Sequence, residues 1–555
     1  AAVKRQADAK AQIEADSTAL FYSALKGQAQ KVVLKNEKVE LTLNTKGGTV
    51  EKAVIKGYVG HNLKVKDGSA DQKDVTLFDG NDQSLKFMLE AKEANIITSD
   101  LYFTPSNVTD KSVTMTAEAA PGKTLSMTYT LGDDYMLHMS LQTEGMAGLF
   151  SPNCNKMSID WSDKARQQER GFMFENRYTT LTYHEAEGGT DHLNEGSEKI
   201  DEKIEETIDW VSFKNQFFSA IMVAKDNFDK DAFMTSIPQE KGSGYLKQFQ
   251  AKMKTAFDPT GKKASEFEFY FGPNHFKTLK SFDQKYEKII PLGGWLVGWF
   301  TRFVIIPLFD FLHRFISNFG IIILLMTIFI KIVVLPIAYK SYSSSAKMQA
   351  IKPEIDKLSQ KYPKQEDALK KQQAQMDLYK RAGISPMGGC LPMLLQFPIL
   401  WAMFRFFPAS IELRQQSFLW ADDLSAYDSI IDFGTRIPLI GDHLSLFALL
   451  MAVSMFFYSK ITTASQPGAD DPQMASMRFM SVWMMPIMMF FICNSLSAGL
   501  SYYYLLSNLI TMLETWVIRK WFVNPDEILA KLKATEGKKM PKSKWQQRLE
   551  EAQRM

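Results

Sequence analysis

Apolar and polar positions divide this chain into two unlike stretches. From about Lys31 to residue 290 the apolar residues come in short runs broken by turn formers. Val39-Glu40-Leu41-Thr42-Leu43 alternates with period two, and Gly47-Gly48 ends the run. Further β-rich segments fall at 51–56, 75–78, 112–117, 124–131, 135–142, 217–224 and 267–271, separated by turns such as Gly80-Asn81-Asp82 and Gly132-Asp133-Asp134. Many short strands at that spacing predict an antiparallel sandwich for residues 28–290. Residues 1–27, charged and rich in Ala and Gln, read as a linker. The charged stretch 196–208 reads as a loop or a sheet edge, and 275–290 as a helical lead into the apolar half.

After residue 290 the pattern changes. Apolar runs at 319–339, 388–410, 444–461, 479–495 and 498–518 each approach the ~20 residues that a bilayer core demands. Five such runs predict a five-span membrane core over 318–522 rather than buried helices of a soluble domain. Pro392, Pro398 and Pro486 interrupt them, and short spans suit a locally thinned bilayer. The stretch 291–317 differs: Trp295, Trp299, Phe303, Phe309, Phe311 and Phe315 are interleaved with Arg302, Asp310, His313 and Arg314. That mixture predicts an amphipathic helix lying in the interface, with a sixth span as the competitor. The fold class is therefore an α+β membrane protein.

Whole-chain averages conceal this division. The 555 residues are 45% hydrophobic and 23% charged with a net charge of +3. Such values exclude a disordered, collagenous or disulfide-framework chain. Charge distribution is more informative. Segments 340–385 and 519–555 are strongly basic, whereas the loop 411–443 carries six acidic residues, Glu412 and Asp422 among them, against Arg414 and Arg436. Basic loops stay cytoplasmic. Five spans then place 411–443 and residues 1–290 outside. Ala1-Ala2-Val3-Lys4 is not a secretory signal, so an anchor helix upstream of Ala1 is expected.

Three features bear on chemistry. Lys331 lies at least two turns inside the first span, where a charge costs about 2.5–3.5 kcal/mol on insertion scales. Thr327 lies one turn away on the same face. Gln396, Asn494 and Asn508 add polar groups in other spans, with Tyr502 to Tyr504 and Ser507 in the last. Glu514 stands near an end, so Lys331 has no evident carboxylate partner and hydration is expected to compensate it. Residues 341–383 predict a helical hairpin broken at Tyr362-Pro363-Lys364, weakly apolar and suited to a mobile docking element for a cytosolic partner. The tail, 523–555, with Lys531, Lys533, Lys538, Lys539, Lys542, Lys544 and Arg548, suits ribosomal RNA or anionic lipid, or equally a simple positive-inside anchor.

No phosphate loop, G-x-S-x-G, HExxH or dinucleotide fingerprint occurs in the sequence, and Cys154, Cys390 and Cys493 have no histidine at zinc-ligand spacing. The reading is of a non-enzyme without metal or cofactor. A secondary transporter and a membrane-anchored binding protein remain as alternatives. The first would need paired ion sites and internal repeats. The second would not need a mid-bilayer lysine.

The chain resembles the YidC/Oxa/Alb membrane-insertase family, in its Gram-negative form, over roughly residues 30–520. The resemblance rests on Lys331 and Pro336, Ser345-Ala346-Lys347-Met348, Pro386-Met387-Gly388-Gly389-Cys390-Leu391-Pro392, Gln396 and Pro398-Ile399. It continues through Glu412-Leu413-Arg414-Gln415, Leu419-Trp420, Asp423-Leu424-Ser425-Ala426, Ala498-Gly499-Leu500, Tyr503-Tyr504 and Ser507-Asn508-Leu509. Trp210 to Phe218 and Tyr270-Phe271-Gly272-Pro273 carry it in the polar half. It implies a periplasmic β-super-sandwich, an interfacial helix, and five helices around a hydrophilic groove open to cytoplasm and lipid. Lys331 would supply the groove's charge, where many members have Arg, with Thr327, Gln396 and Asn508 as polar lining. Phe397, Leu400, Met451, Ile492, Tyr503 and Tyr504 would form the apolar slide along which substrate spans leave. Implied partners are nascent membrane proteins, the bilayer, and the ribosome through the hairpin and tail. Partnership with the Sec translocon stays open.

Overall fold

The computed structural model describes residues 20–60, 74–193, 198–362, 368–384, 391–463, 472–522 and 524–534. The chain divides into two compact units, Ala1–Pro291 and Leu292–Met555.

Among the described residues every strand pairing of the first unit is antiparallel. Its nine-stranded sheet runs, in spatial order, Thr190–His192, Thr180–Glu185, Ile208–Lys214, Phe218–Phe228, Ser265–Pro273, Met136–Glu144, Lys123–Leu131, Ser112–Ala120 and Thr104–Ser106. A six-stranded sheet has the order Ile200–Ile204, Ala232–Pro238, Tyr245–Ala256, Lys156–Arg166, Gln83–Leu89 and Ile96–Ile97. Lys31–Lys35, Val39–Asn44, Val50–Val59 and Asp74–Asp79 form a four-stranded sheet. The period-two pattern does what it predicts: in Lys156–Arg166, Met157, Ile159, Trp161, Asp163 and Ala165 turn inward and their neighbours outward.

The smaller sheets pack on the nine-stranded one through aromatic rings. Trp161 stacks on Phe213 at 3.9 Å, and Phe87 meets Phe267 at 5.2 Å. From the four-stranded sheet, Phe78 contacts Phe271 at 5.7 Å and Tyr58 contacts Phe218 at 5.4 Å. Tyr129 reaches across to donate its hydroxyl to the Gly48 carbonyl at 2.7 Å. Gly48 has φ +69, and a Cβ there would press on Phe103 and Met127, so the turn after the second strand requires glycine twice over. The charged stretch near residue 200 resolves into an edge strand, Ile200–Ile204, whose outer residues are exposed.

The second unit is helical. We label α1 Trp295–His313, α2 Phe319–Ala350, α3 Lys352–Lys361, α4 Ala368–Arg381, α5 Leu391–Ala409, α6 Leu446–Thr463, α7 Ala475–Cys493, α8 Ala498–Trp521 and α9 Pro525–Ala534. By length and composition, α1, α2, α6 and α7 suffice to cross a membrane. Wide π-turns at Thr301–Ile305 and Met480–Met484 lie just before Pro307 and Pro486, whose rings lack an N–H and crowd the preceding turn.

Two expectations change. First, α2 does not stop near residue 339: it carries through Pro336 to Ala350 in 32 residues, so Ser345 to Met348 belong to the span's extension. After Pro336 no further Pro or Gly intervenes before Pro353, which opens α3 in its first turn. Second, the hairpin of α3 and α4 is not weakly held. Ile351, Ile355, Tyr379, Ala382 and Ile384 share a buried cluster with Tyr342 of α2, Ile518 of α8 and Ile528 of α9. The break at Pro363-Lys364, the motif 386–390 with Cys390, and the tail beyond residue 534 lie outside the described residues. Cys154 and Cys493 are free and buried.

Candidate functional site

The hub of the helical unit is α8. Ser507, Thr511 and Thr515 recur every four residues along it, so all three lie on one buried face. Each threonine hydroxyl donates back to the carbonyl one turn earlier: Thr511 to Ser507 at 2.7 Å, and Thr515 to Thr511 at 2.7 Å. Their oxygen lone pairs thus stay available to neighbouring helices.

Three helices use that face or the one beside it. Lys331 of α2 donates its Nζ to Thr511 Oγ1 at 2.7 Å. Gln396 of α5 donates Nε2 to Ser507 Oγ at 3.4 Å. Asn508 donates Nδ2 to Ser454 Oγ of α6 at 3.0 Å. The sequence marks Lys331, Gln396 and Asn508 as polar lining, and the fold gathers all three around one helix. Thr327 is different. It is buried, but its hydroxyl donates to the Ile323 carbonyl at 2.7 Å within its own helix.

Lys331 is not without a carboxylate. Glu514, three residues after Thr511 on α8, interacts electrostatically with it. Nearness to the end of a span makes Glu514 look remote in the sequence, but helix periodicity puts it beside the Thr511 face. Ser454 and Thr511 also escape the sequence reading. Their signal is the i, i+4 hydroxyl ladder of α8 and a serine, Ser454, amid the apolar residues of α6.

The residues expected to form the slide separate by exposure. Phe397 and Ile492 are exposed and Leu400 is half-buried. Met451, Tyr503 and Tyr504 are buried. Tyr503 packs on Phe407 of α5 at 5.9 Å. A substrate could touch those three only if helices part.

At the opposite end of the helices a second polar cluster closes the bundle. Asp428 is buried and accepts from the backbone N–H groups of Leu446 at 2.8 Å and Phe447 at 3.0 Å, so it caps α6 from a distant loop. It also accepts from Trp420 Nε1 at 2.9 Å and from the Ser445 hydroxyl. Asn494, just past α7, donates to the carbonyls of Ile440 and His443 and accepts from Ser445 N–H. The Ala498-Gly499 pair begins α8 by donating to the carbonyls of Ala426 at 2.7 Å and Leu424 at 2.9 Å. A Cβ on Gly499 would stand 3.1 Å from that Leu424 oxygen, which explains why the motif is small there. Among the described residues no group of His, Cys, Asp and Glu is arranged to hold a metal ion.

Comparison with known proteins agrees with this architecture. The family model described as YidC periplasmic domain matches residues 31–309, and that described as 60Kd inner membrane protein matches 311–525. A membrane protein insertase YidC from Phocaeicola vulgatus is 47% identical over 92% of this chain and 82% of its own length. One from Bacteroides fragilis is 44% identical over 99% of this chain and 88% of its own. Among solved structures, a galactose mutarotase-like protein from Lactobacillus casei covers 44% of this chain and all of its own at 13% identity, but its TM-score of 0.28 is too low to carry an argument. With both units matched and relatives aligned over most of their length, the chain belongs to the YidC family of membrane protein insertases.

Proposed function

We propose that the polar face of α8, with Lys331 held against it, lines a wet groove reaching part-way through the inner membrane, into which the hydrophilic segment of a nascent membrane protein is taken. The observation that supports this most directly is the Lys331–Thr511 hydrogen bond, set in a chain of buried hydroxyls and half-buried amides shared by α2, α5, α6 and α8. Apolar packing would exclude these groups, since each unpaired one costs about 1–3 kcal/mol when buried. A groove shortens the hydrocarbon path that a polar segment must cross. The Lys331 charge attracts acidic segments, more strongly than in bulk water because the surroundings are less polarisable. The substrate's apolar spans leave sideways into lipid past Phe397, Leu400 and Ile492, with Met451, Tyr503 and Tyr504 reached as helices part. Burial of the substrate's apolar surface, at roughly 25 cal/mol per Å², drives the process without nucleotide hydrolysis or covalent catalysis.

In this reading the chain is a multi-pass inner-membrane protein. The sandwich, residues 28–290, is periplasmic, α1 lies in the interface, and the core 318–522 contributes five spans. The segment 341–383, which holds the α3–α4 hairpin, and the tail, 523–555, are cytoplasmic and face the ribosome, with the Sec translocon as a further candidate partner.

The test is reconstitution of the purified chain in liposomes with single-span substrates bearing acidic leading segments. Lys331→Arg should insert them at close to the wild-type rate. Lys331→Glu should slow them about tenfold, the effect expected from reversing one charge at a moderate effective dielectric. Wild-type rates for Lys331→Glu on every acidic substrate would remove the electrostatic part of the mechanism.

A further inference from the structure

The groove reading gives Lys331 a task. The structure also gives it a counter-charge that the groove reading does not use. Thr511 receives the Lys331 ammonium, and Glu514 comes three residues after Thr511 on the same helix. Positions three apart on an α-helix are separated by about 60° and 4.5 Å along the axis, so the carboxylate projects beside the hydroxyl that holds the cation. Glu514 is half-buried. Lys331 interacts with it electrostatically, and so do Tyr342 of α2 and Tyr458 of α6. Groups from α2 and α6 therefore share the field of one acidic group of α8, less than a turn along it from the hydroxyl that binds Lys331.

A lone cation in a wet, weakly polarisable groove would favour acidic segments and repel basic ones. A cation with a carboxylate beside it behaves otherwise. An acidic segment must compete with Glu514 for Lys331, while a lysine or arginine entering the groove meets Glu514 and is not simply repelled. The pair offers each sign of charge a partner and leaves little net field for either. Discrimination is a difference of two affinities, and a built-in competitor narrows it.

We infer that Glu514 is the specificity-determining residue of the insertion site: standing near Lys331 without a direct ion pair to it, it broadens the range of translocated segments from acidic ones to those of either sign. This inference rests on the groove reading. It would fail separately, because it concerns Glu514 alone.

The experiment uses the full chain in liposomes and three single-span substrates identical except for the translocated segment, which carries two aspartates, two serines or two lysines. The quantity read is the ratio of acidic to basic insertion rates. Glu514→Gln should raise that ratio by roughly fifteenfold or more, because one unit charge about 10 Å away at an effective dielectric constant near 40 is worth about fourfold per substrate charge and acts in opposite directions on the acidic and the basic segment. Lys331→Gln should lower it by a similar factor. The charge-swapped double variant, Lys331→Glu with Glu514→Lys, should return it close to the wild-type value. An unchanged ratio in Glu514→Gln with a lowered one in Lys331→Gln overturns the role of Glu514 and leaves the groove standing. No change in either variant removes both. An equal loss on all three substrates in Glu514→Gln makes the residue structural and also overturns the inference. Should the single variant not accumulate, the double variant decides: a ratio matching wild type supports the pair, and one matching Lys331→Glu alone sinks it.

Discussion

The two units treat their tryptophans in opposite ways. Both tryptophans of the sandwich, Trp161 and Trp210, are fully buried. In the helical unit every described tryptophan is exposed: Trp295, Trp299, Trp401, Trp420, Trp483, Trp516 and Trp521. What the helices bury includes Thr327, Ser341, Ser454, Asn494, Ser501, Ser507, Thr511 and Thr515. In water such an arrangement would be inside out. It is consistent with lipid as the solvent, since hydrocarbon takes up indole and phenyl rings freely and hydroxyl groups find partners only inside the bundle. The comparison teaches that both units have apolar interiors but only the helical one turns its tryptophans outward, so the two should respond differently to substitutions on their outer surfaces.

The largest expected effect lies in the sandwich. Trp161→Ala removes a ring fully enclosed between the sheets and stacked on Phe213 at 3.9 Å. Aromatic-to-alanine changes in a well-packed core cost about 3–5 kcal/mol. Thermal unfolding followed by near-ultraviolet circular dichroism should show the sandwich transition falling by many degrees while the helical signal persists. A shift too small to resolve would mean that the sheets do not close on this contact.

How much of this difference is visible in the sequence depends on the element. Alternation around Val39 to Leu43 and over 124–131 announces strands, because small apolar β-formers stand against polar neighbours. Lys156–Arg166 and Tyr245–Ala256 alternate just as regularly, yet their outward Lys, Ser, Asp and Gln dilute the β signal and hide them. Lys331, Gln396 and Asn508 stand out as polar residues in apolar runs. Glu514 does not, because its nearness to the end of a span hides which face it occupies. The capping of α6 by Asp428, eighteen residues upstream of Leu446, depends on tertiary folding and leaves no local pattern.

A smaller effect is expected at Asp163, where the sandwich departs from its own rule. Asp163 is buried, its Oδ1 has no hydrogen-bond partner, and it sits across the ladder from Gln83. Its neighbour Asp82 is fully engaged, accepting from Arg166 Nε at 2.6 Å and Tyr245 hydroxyl at 2.7 Å. Burial first, and the Asp82 charge second, push the Asp163 carboxyl well above the usual carboxylate range, with Arg166 opposing. The folded state therefore holds a proton that the unfolded chain releases near pH ~4. Stability falls as pH rises from that value through the folded-state titration, and the penalty is complete above it. Asp163→Asn should remove the penalty, stabilising the sandwich at neutral pH by something of the order of 1 kcal/mol and giving no gain below about pH 4. A variant less stable than wild type at neutral pH would show that the carboxylate is paired after all.

The smallest effect should come from the helical unit's outer surface, and it bears most sharply on the comparison. Ile332 of α2 is 61% exposed, whereas Ile323 of the same helix is fully buried. In water, exposing Ile332 would be unfavourable and its truncation neutral or helpful. In a bilayer the side chain touches lipid in the folded bundle and in the separated helices alike, so Ile332→Ala should change stability by less than about 0.5 kcal/mol. Ile323→Ala leaves a cavity between helices that lipid cannot fill, and should cost about 2–4 kcal/mol. Both variants carry the same chemical change on one helix, so thermal unfolding in lipid nanodiscs compares the two surroundings directly. If Ile332→Ala proves as damaging as Ile323→Ala, the exposed face is covered by protein in the membrane, and the helices are not solvated there by lipid.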